Sequence, residues 1–298
     1  MGAPETAVGV RWLVTGAGGM LGRDTVDELT RRGEDVTGLD HAALDIAQQQ
    51  AVEGALADHR PDLVVNCAAY TDVDDAETDE ERALRINGDG PRHLARACAA
   101  HDARLIHVST DYVFAGDATT PYPEDHPTAP RTTYGRTKLA GERAVVQELP
   151  TSGAIVRTAW LYGAHGRSFV RTMIDLESCR DTLGVVDHQR GQPTWSADVA
   201  ARLADLGPHL GRGASGVFHA TSSGEAGWYE LAREVFRGLG ADPDRVRPAG
   251  SEAFPRPAPR PAYSALAHGR RQELGLSPPR DWRAVLHEAS PDPQGVPA

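Results

Sequence analysis

Short apolar runs rich in β-branched residues alternate with amphipathic segments through the first half of the chain. Strands are predicted for VRWLVTG, EDVTGLD, PDLVVNCAA and ARLIHVST, and the segments between them carry the apolar spacing of helices. Because strands and helices that alternate at this spacing form parallel sheets, the pattern predicts a Rossmann-like, doubly wound α/β fold. A further strand, GAIVRTAWLYG, is predicted after the helix TTYGRTKLAGERAVVQEL.

Beyond about residue 165 this alternation loosens. Helices are predicted for FVRTMIDLESCRD, SADVAARLADLGPHL and WYELAREVFRGLG, with strands in LGVVDHQRGQPT and GVFHATSSG. The prolines of PAGSEAFPRPAPRPAYSAL forbid a helix and predict an extended loop, and SPDPQGVPA is expected to be a frayed tail. We therefore expect one domain over residues 1–165 and a smaller C-terminal α/β lobe over 166–298, partly interleaved with the first.

Composition narrows the function classes. A net charge of −11 over 298 residues argues against a nucleic-acid partner, which requires a basic surface. Apolar runs are too short for a membrane span, and MGAPETAVGVRW lacks the basic and apolar segments of a secretory signal. Cys67, Cys98 and Cys179 share no metal-ligand spacing and suit a reduced compartment. The sequence predicts a cytoplasmic protein.

A glycine-rich turn follows the first predicted strand and opens the first helix. Gly16, Gly19 and Gly22 have the spacing G-x-x-G-x-x-G in VTGAGGMLGRD. Glycines at these positions permit a tight bend and let backbone N–H groups approach a pyrophosphate at the helix N-terminus. The turn predicts a dinucleotide site and makes 1–165 the NAD(P)-binding domain.

An acid at the end of the second strand bears on which dinucleotide binds. Asp40 is placed to accept hydrogen bonds from the adenine ribose hydroxyls, which favours NADH because a carboxylate repels a 2′-phosphate. The neighbouring His41 can instead assist a phosphate, so NADPH and NADH both stay open. Two later segments are expected to line the cofactor, although close packing explains the alanines nearly as well: Asp45 and Ile46, and Ala68, Ala69 and Tyr70.

The stretch YGRTK places Tyr134 and Lys138 four residues apart on one predicted helix. At this spacing the two side chains share a face, either as a decorated surface or as a catalytic pair. The strand just before, HVSTDYVF, ends with Thr110, at the carboxyl end where parallel sheets build their sites. Together with a dinucleotide turn, the three residues favour a catalytic group.

Ketone reduction is the chemistry that fits this group. A proton must reach the alkoxide that forms as hydride arrives, and Tyr134 can donate it. The pKa of a free tyrosine is about 10, and a lysine cation beside it lowers that value. Thr110 can orient the carbonyl oxygen by a hydrogen bond.

These motifs resemble the extended short-chain dehydrogenases/reductases, and several blocks resemble one family more closely. NCAAYTDVDDAE, HVSTDYVF, YGRTKLAGE, RTAWLYG, DHQRGQPT and RPAPRPAYSAL are similar to dTDP-4-dehydrorhamnose reductases. The similarity extends from about Arg11 to Trp282. It implies reduction of dTDP-4-dehydro-L-rhamnose to dTDP-L-rhamnose with NADPH or NADH.

The resemblance also implies residue roles. Tyr134 is then the acid, Lys138 its partner, and Thr110, Asp111 and Trp160 contact the sugar nucleotide. Met20 and Leu21 join the glycines in binding cofactor. For Trp160, an apolar face for a deoxysugar and a place in the core are both open. A homodimer and Mg²⁺ follow from the resemblance alone, and no metal site is assigned.

The diphosphate of such a substrate requires positive groups. Arg190 and Arg260 are candidates because they lie in predicted loops of the second lobe, and a guanidinium binds phosphate through two parallel hydrogen bonds. A plain surface arginine is the alternative for each.

Other functions on the same fold stay open to different degrees. Sugar-nucleotide dehydratases carry Thr-Asp-Glu, whereas this chain has Thr110-Asp111-Tyr112 and lacks the second carboxylate. Epimerases are disfavoured only by the closer block matches. A dTDP-dihydrostreptose synthase type of reductase, and a non-catalytic subunit like the regulatory subunit of methionine adenosyltransferase, are the remaining alternatives.

Overall fold

The computed structural model describes residues 9–289, and the expected tail SPDPQGVPA lies outside them. Each predicted strand of the first half is present. The strands are β1 (Arg11–Thr15), β2 (Asp35–Leu39), β3 (Leu63–Asn66), β4 (Arg104–Thr110), β5 (Gly153–Thr158), β6 (Leu161–Tyr162), β7 (Leu183–Val186), β8 (Arg190–Gly191), β9 (Thr194–Trp195), β10 (Gly216–His219), β11 (Ala226–Gly227) and β12 (Val246–Ala249).

The helices are α1 (Met20–Arg31), α2 (Gln49–His59), α3 (Glu80–Leu84), α4 (Gly90–Ala100), α5 (Thr133–Glu148), α6 (Phe169–Glu177), α7 (Ser196–Leu210), α8 (Trp228–Gly238), α9 (Gly269–Glu273) and α10 (Trp282–Ala289). Helices α1 to α8 follow the predicted amphipathic segments, whereas α9 and α10 were not predicted. Within the described part of the chain, no helix is long and apolar enough to cross a membrane.

The central sheet has the strand order β10-β5-β4-β3-β1-β2, and every pair in it is parallel. Alternate residues of each strand face opposite sides, because successive side chains of a strand point apart. Trp12 and Val14 pack with α1 and α7, whereas Leu13 packs with α2 and α4. Helices on both faces of a parallel sheet confirm the Rossmann-like α/β prediction.

Two elements beyond residue 165 return to this sheet. Strand β10 pairs with β5 at the sheet edge, and α7 packs beside α1, where Arg32 and Asp205 form an ion pair of 2.8 Å. The remaining elements surround a separate apolar core that includes Met173, Phe236 and Trp282. As predicted, the proline-rich segment is largely extended, with one short 3-10 turn over Ser251–Ala253.

One predicted helix is interrupted. The segment ERALRINGDGPRHLARACAAHD contains a π-helical turn, Arg85–Asp89, between α3 and α4. The reason lies in Asn87, whose side chain is buried and points inward. Its Oδ1 accepts a hydrogen bond from Tyr70 N at 2.9 Å, and its Nδ2 donates one to Tyr70 O at 3.0 Å. A wider turn accommodates this inward side chain, and such turns are frequent near functional sites.

Candidate active site

Helix α5 carries Tyr134 and Lys138 into the protein interior. The helix begins where Thr132 accepts a hydrogen bond from the N–H of Gly135 at 3.0 Å, a typical N-cap. Tyr134 is 9% exposed and Lys138 only 2% exposed. The two residues therefore form a buried pair rather than a decorated surface.

Lys138 lies under the carboxyl end of β4. Its Nζ donates a hydrogen bond to the carbonyl oxygen of Val108 at 2.6 Å. Burial lowers the pKa of Lys138 to about 8, with Glu142 and Cys67 opposing that shift. At neutral pH the ammonium is thus mainly charged, and it places a cation on the Tyr134 face of the helix.

Thr110 and Tyr134 meet at the end of β4. The pKa of Tyr134 is raised to about 12, and not lowered by Lys138 as the sequence predicted: burial is the largest cause, a hydrogen bond with Thr110 lowers the pKa, and the charge of Asp111 raises it. The phenol is therefore protonated and can act as a proton donor. The Thr110 hydroxyl itself donates to Asp111 Oδ1 at 2.9 Å.

Asp111 is a buried carboxyl group at this site, 4% exposed. Burial raises its pKa to about 6, although the nearby hydroxyl groups of Ser264 and Thr110 oppose the shift. Its second oxygen, Oδ2, has no hydrogen-bond partner within residues 9–289. A free acceptor beside Thr110 is suited to a hydroxyl of a bound sugar.

Asn87 joins the loop after β3 to α5. Besides its two bonds to the Tyr70 backbone, its Nδ2 donates to Thr137 Oγ1 at 3.2 Å, one residue before Lys138. Sequence reasoning missed this residue. The signal was an Asn-Gly pair in the middle of a predicted helix, where both residue types are unfavourable.

The glycine turn is tight, and its backbone segments lie close together. Gly16 has φ +68°, a left-handed conformation that favours glycine, and a Cβ on Gly22 would lie 2.1 Å from the Gly16 carbonyl oxygen. Gly19 precedes the first residue of α1, with no side chain capping the helix. Close backbone approach and open N–H groups at a helix start fit a pyrophosphate.

The other predicted cofactor residues differ in position. Met20 begins α1, whereas Leu21 lies in the core at 7% exposure. Asp40 directly follows β2 as an exposed side chain and accepts a hydrogen bond from Ala43 N at 2.9 Å. Ile46 is 3% exposed and packs under α4. The structure brings Ala68 close to Gly16, at the carboxyl ends of β3 and β1.

A cavity of about 720 Å³ lies mainly among residues that follow β5, and Tyr112 also forms part of its wall. Tyr112 links it to the pair Tyr134 and Lys138, because its ring meets the Tyr134 ring edge-on at 5.6 Å between centroids. The walls combine apolar and basic side chains. They include Tyr112, Trp160, Phe169, Met173, Val185, Trp228, Arg256 and Arg260.

Trp160 forms part of the apolar wall. Its backbone has φ +49°, rare for a residue with a side chain, and its ring stacks on Trp228 at 3.4 Å between centroids. Trp228, which the sequence reasoning did not single out, is fixed by a hydrogen bond to Gln189 at 3.1 Å. The stacked pair presents a flat apolar surface to the cavity.

The two predicted phosphate-binding arginines are placed differently. Arg260 lines the cavity, and both of its Nη atoms bond Asp74 at 2.9 and 2.7 Å. Arg190 is not among the residues that line the cavity and lies 3.6 Å from Glu225. Arg256, which was missed, lines the cavity and also contacts Asp74, at 3.1 Å.

Within residues 9–289, the side chains that group as potential metal ligands are Asp24, Asp27 and His165. They lie between α1 and the loop after β6, and Asp27 is exposed. Magnesium prefers oxygen ligands in a near-octahedral shell, and an imidazole fits that preference poorly. The group does not suit the Mg²⁺ that the resemblance implies.

The chain is similar to known reductases over almost its full length. It is 58% identical to "Probable dTDP-4,6-dihydroxy-2-methyloxan-3-one 4-ketoreductase" of Streptomyces antibioticus, covering 95% of each chain. It is 57% identical to dTDP-4-dehydrorhamnose reductase of Streptomyces griseus, covering 94% of this chain and 93% of that one.

A solved structure agrees with these relatives. The dTDP-4-dehydrorhamnose reductase of Bacillus anthracis strain Ames, in complex with NADP, is 36% identical and superposes with a TM-score of 0.90, covering 95% of this chain and 99% of that one. The family model described as the RmlD substrate binding domain matches residues 10–292. The chain therefore belongs to the RmlD family, the family of the dTDP-4-dehydrorhamnose reductases.

Proposed function

We propose that this protein reduces the 4-keto group of dTDP-4-dehydro-L-rhamnose with NAD(P)H and yields dTDP-L-rhamnose. The observation that carries the proposal is the buried group of Tyr134, Lys138 and Thr110 at the carboxyl end of β4, beside a cavity with apolar and basic walls. That group matches a ketone reduction, and the family members named above act on keto groups of dTDP-sugars.

The cofactor would lie along the carboxyl ends of β1, β2 and β3. Gly16, Gly19 and Gly22 would hold the pyrophosphate, and Asp40 the adenine ribose. When bound, the reduced nicotinamide supplies the hydride. The further residues expected along this edge are Met20, Leu21, Asp45, Ile46, Ala68, Ala69 and Tyr70.

The side chains of this protein manage the proton and the substrate position. Tyr134, protonated and buried, donates its phenolic proton to the oxygen of the reduced carbonyl. The Lys138 cation would stabilise the tyrosinate that remains, and Lys138 would also hold the nicotinamide ribose hydroxyls. Thr110 orients the carbonyl oxygen, and the free Oδ2 of Asp111 accepts a hydrogen bond from a sugar hydroxyl.

The lobe over residues 166–298 would bind the sugar nucleotide. Together with this lobe, the stacked rings of Trp160 and Trp228 would form an apolar wall for the 6-deoxy carbon, and Arg260 would meet the diphosphate from the loop that lines the cavity. Arg190 lies outside the cavity wall, so we assign it no direct phosphate contact.

Reduction is favoured over elimination by Tyr112. A dehydratase needs a second carboxylate directly after the Thr-Asp pair to remove a proton from the sugar. Here that position holds a phenol whose pKa is raised by burial and by the charge of Asp111. Such a group stays protonated and cannot act as that base.

Product analysis tests the proposal. The purified chain is incubated with dTDP-4-dehydro-L-rhamnose and NADPH, and in parallel with NADH, and the sugar is identified by NMR. We expect dTDP-L-rhamnose together with an equimolar loss of reduced cofactor. Unchanged substrate with both cofactors, or a sugar other than the rhamnose, would overturn the proposal.

A further inference from the structure

Two carboxylates in one turn reach across to different parts of the site. The turn follows β3 and the Ala68–Tyr70 segment, and it contains the 3-10 helix Asp75–Glu77. We propose that Asp74 and Glu77 are positioning residues, Asp74 for the arginines that hold the substrate diphosphate and Glu77 for the helix that carries Tyr134. This inference rests on the proposed function.

Asp74 gathers four donors from the proline-rich loop. Its Oδ1 accepts from Arg260 Nη1 at 2.9 Å and from Ala258 N at 3.2 Å, and its Oδ2 accepts from Arg260 Nη2 at 2.7 Å and Arg256 Nη1 at 3.1 Å. Burial raises the pKa of Asp74, but the hydrogen bonds from Arg260, Ala258 and Arg256 outweigh it and lower the pKa overall. The carboxylate is therefore charged and holds the loop against the first domain.

The geometry leaves one edge of Arg260 available. A guanidinium has five N–H donors, and Asp74 takes one from each Nη, while Ala258 O accepts another from Nη1 at 2.9 Å. The Nε–H and the second Nη2–H form a fork on the remaining edge, and Nε has no partner within residues 9–289. That fork matches two oxygens of one phosphoryl group.

The local charge also suits a diphosphate. Arg256 and Arg260 both line the cavity, and Asp74 neutralises only one of the two positive charges. In a chain of net charge −11, the anionic substrate is not attracted by the global field. A fixed local excess of positive charge at the cavity wall supplies that attraction.

Glu77 acts on the other side of the turn. Its Oε1 accepts from the N–H of Thr133 at 2.8 Å, and its Oε2 from the Thr133 hydroxyl at 3.0 Å. Thr133 is the first residue of α5 and directly precedes Tyr134. A carboxylate at a helix N-terminus is also favoured by the helix dipole. Glu77 thereby fixes where the catalytic helix starts.

Because Asp74 and Glu77 are three residues apart in one short turn, they fix the position of the proline-rich loop relative to α5. A displacement of about 1 Å between reacting groups is enough to lower a rate by about 100-fold. Loss of each carboxylate is expected to change a different kinetic constant, KM for Asp74 and kcat for Glu77. Losing Asp74 should weaken substrate binding, and losing Glu77 should slow the reaction of bound substrate.

Asp74→Asn tests the first half, with Asp75→Asn as the matched control, since Asp75 is an exposed neighbour in the same turn. Calorimetric titration measures the affinities of each variant for dTDP, thymidine and NADPH. We expect Asp74→Asn to weaken dTDP binding and raise the substrate KM by about 10-fold, the scale of a lost charged hydrogen bond. Thymidine, which lacks phosphates, and NADPH should bind as in the wild type, and Asp75→Asn should change none of these values.

The sign of the change is decisive. Tighter dTDP binding by Asp74→Asn would mean that Asp74 competes with the diphosphate, and unchanged binding would mean that it has no role; either result overturns the inference. Arg260→Lys keeps the ion pair but loses the fork, so it should weaken dTDP binding even if Asp74→Asn fails to fold. Equal dTDP affinity in Arg260→Lys also overturns it.

Glu77→Ala tests the second half, with the exposed acid Glu80→Ala as control. We expect kcat to fall about 10-fold with an unchanged KM, and Glu77→Gln, which keeps one acceptor oxygen, to lie between. An unchanged kcat in Glu77→Ala overturns this half. A wild-type chain that binds dTDP but reduces no keto-sugar overturns the proposed function instead, so the two failures are distinguishable.

Discussion

The proposed cofactor edge and the proposed catalytic pocket are built by different means. Around Gly16 and Gly22, backbone segments lie close together because glycine has no side chain to keep them apart. Asp40 is exposed at the rim of this region. Around Tyr134 and Lys138, it consists of buried ionisable side chains whose pKa values are shifted by burial. The first region is sensitive to added atoms, whereas the second is sensitive to changed charge and lost donors.

The difference also concerns distance along the chain. The glycine turn is made of consecutive residues, so its shape is local. The pocket gathers side chains from β4, α5, the turn after β3 and the proline-rich loop, which only the fold brings together. Substitutions in the two regions should therefore fail in separable ways.

Tyr134→Phe should give the largest effect. The substitution removes only the phenolic oxygen, so the proton donor is lost while the glycine turn is untouched. We expect kcat to fall by about 100-fold or more, the scale of general acid catalysis, with unchanged NADPH affinity. Tyr112→Phe, in the ring that meets Tyr134 edge-on, serves as the control and should stay within a few-fold of wild type. Near-normal turnover in Tyr134→Phe would remove this residue from the mechanism.

Gly22→Ala addresses the opposite region. Its Cβ would lie 2.1 Å from the Gly16 carbonyl oxygen, so the turn must move. We expect NADPH binding to weaken by about 10-fold or more, since a shifted backbone no longer presents its N–H groups to the pyrophosphate, with a loss of about 1–3 kcal/mol in stability. Titration followed by cofactor fluorescence measures the NADPH affinity, and thermal unfolding measures the loss of stability.

Gly54→Ala is the matched control for that experiment. Gly54 lies in α2 with open space around its Cα, so alanine should leave NADPH binding unchanged and raise helix stability slightly. If Gly22→Ala bound NADPH as tightly as Gly54→Ala does, the glycine turn would not be the pyrophosphate site.

The same contrast explains which parts of the fold and of the site could be predicted from the sequence. Strand–helix alternation, the glycine turn and the Tyr134–Lys138 spacing are local patterns, and they sufficed to predict the fold and the catalytic candidates. The roles of Asp74 and Arg256 depend on a contact between residues 182 apart, and no local pattern indicates such a pair. The turn at Asn87 was hidden because helical periodicity continues on both sides of it.

Asp111→Asn should change the pH dependence of stability. Burial raises the pKa of Asp111 from 3.8 to about 6, so the folded state holds a proton that the unfolded state releases. The stabilisation from this group is full below pH 4 and is lost as pH rises through about 6. A shift of this size corresponds to about 3 kcal/mol. Urea unfolding between pH 4 and 7 measures the slope.

Asparagine does not titrate, so the variant should lose that component of the slope. Asp125→Asn, at an exposed site, is the control and should retain it. An identical pH profile in wild type and Asp111→Asn would show that Asp111 is not held in its neutral form by the fold.

Asp40→Asn should give the smallest effect, a change in cofactor preference without loss of activity. The exposed carboxylate at the end of β2 favours ribose hydroxyls and repels a 2′-phosphate, and solvent screens that repulsion. Removing the charge should raise the ratio of kcat/KM for NADPH to that for NADH by about 3- to 10-fold. Asp35→Asn, at the opposite end of the same strand, should leave the ratio unchanged. An unchanged ratio in Asp40→Asn would mean that another residue contacts the ribose. A rise confined to this variant would show that the exposed rim, and not the buried pocket, determines the preference between NADPH and NADH.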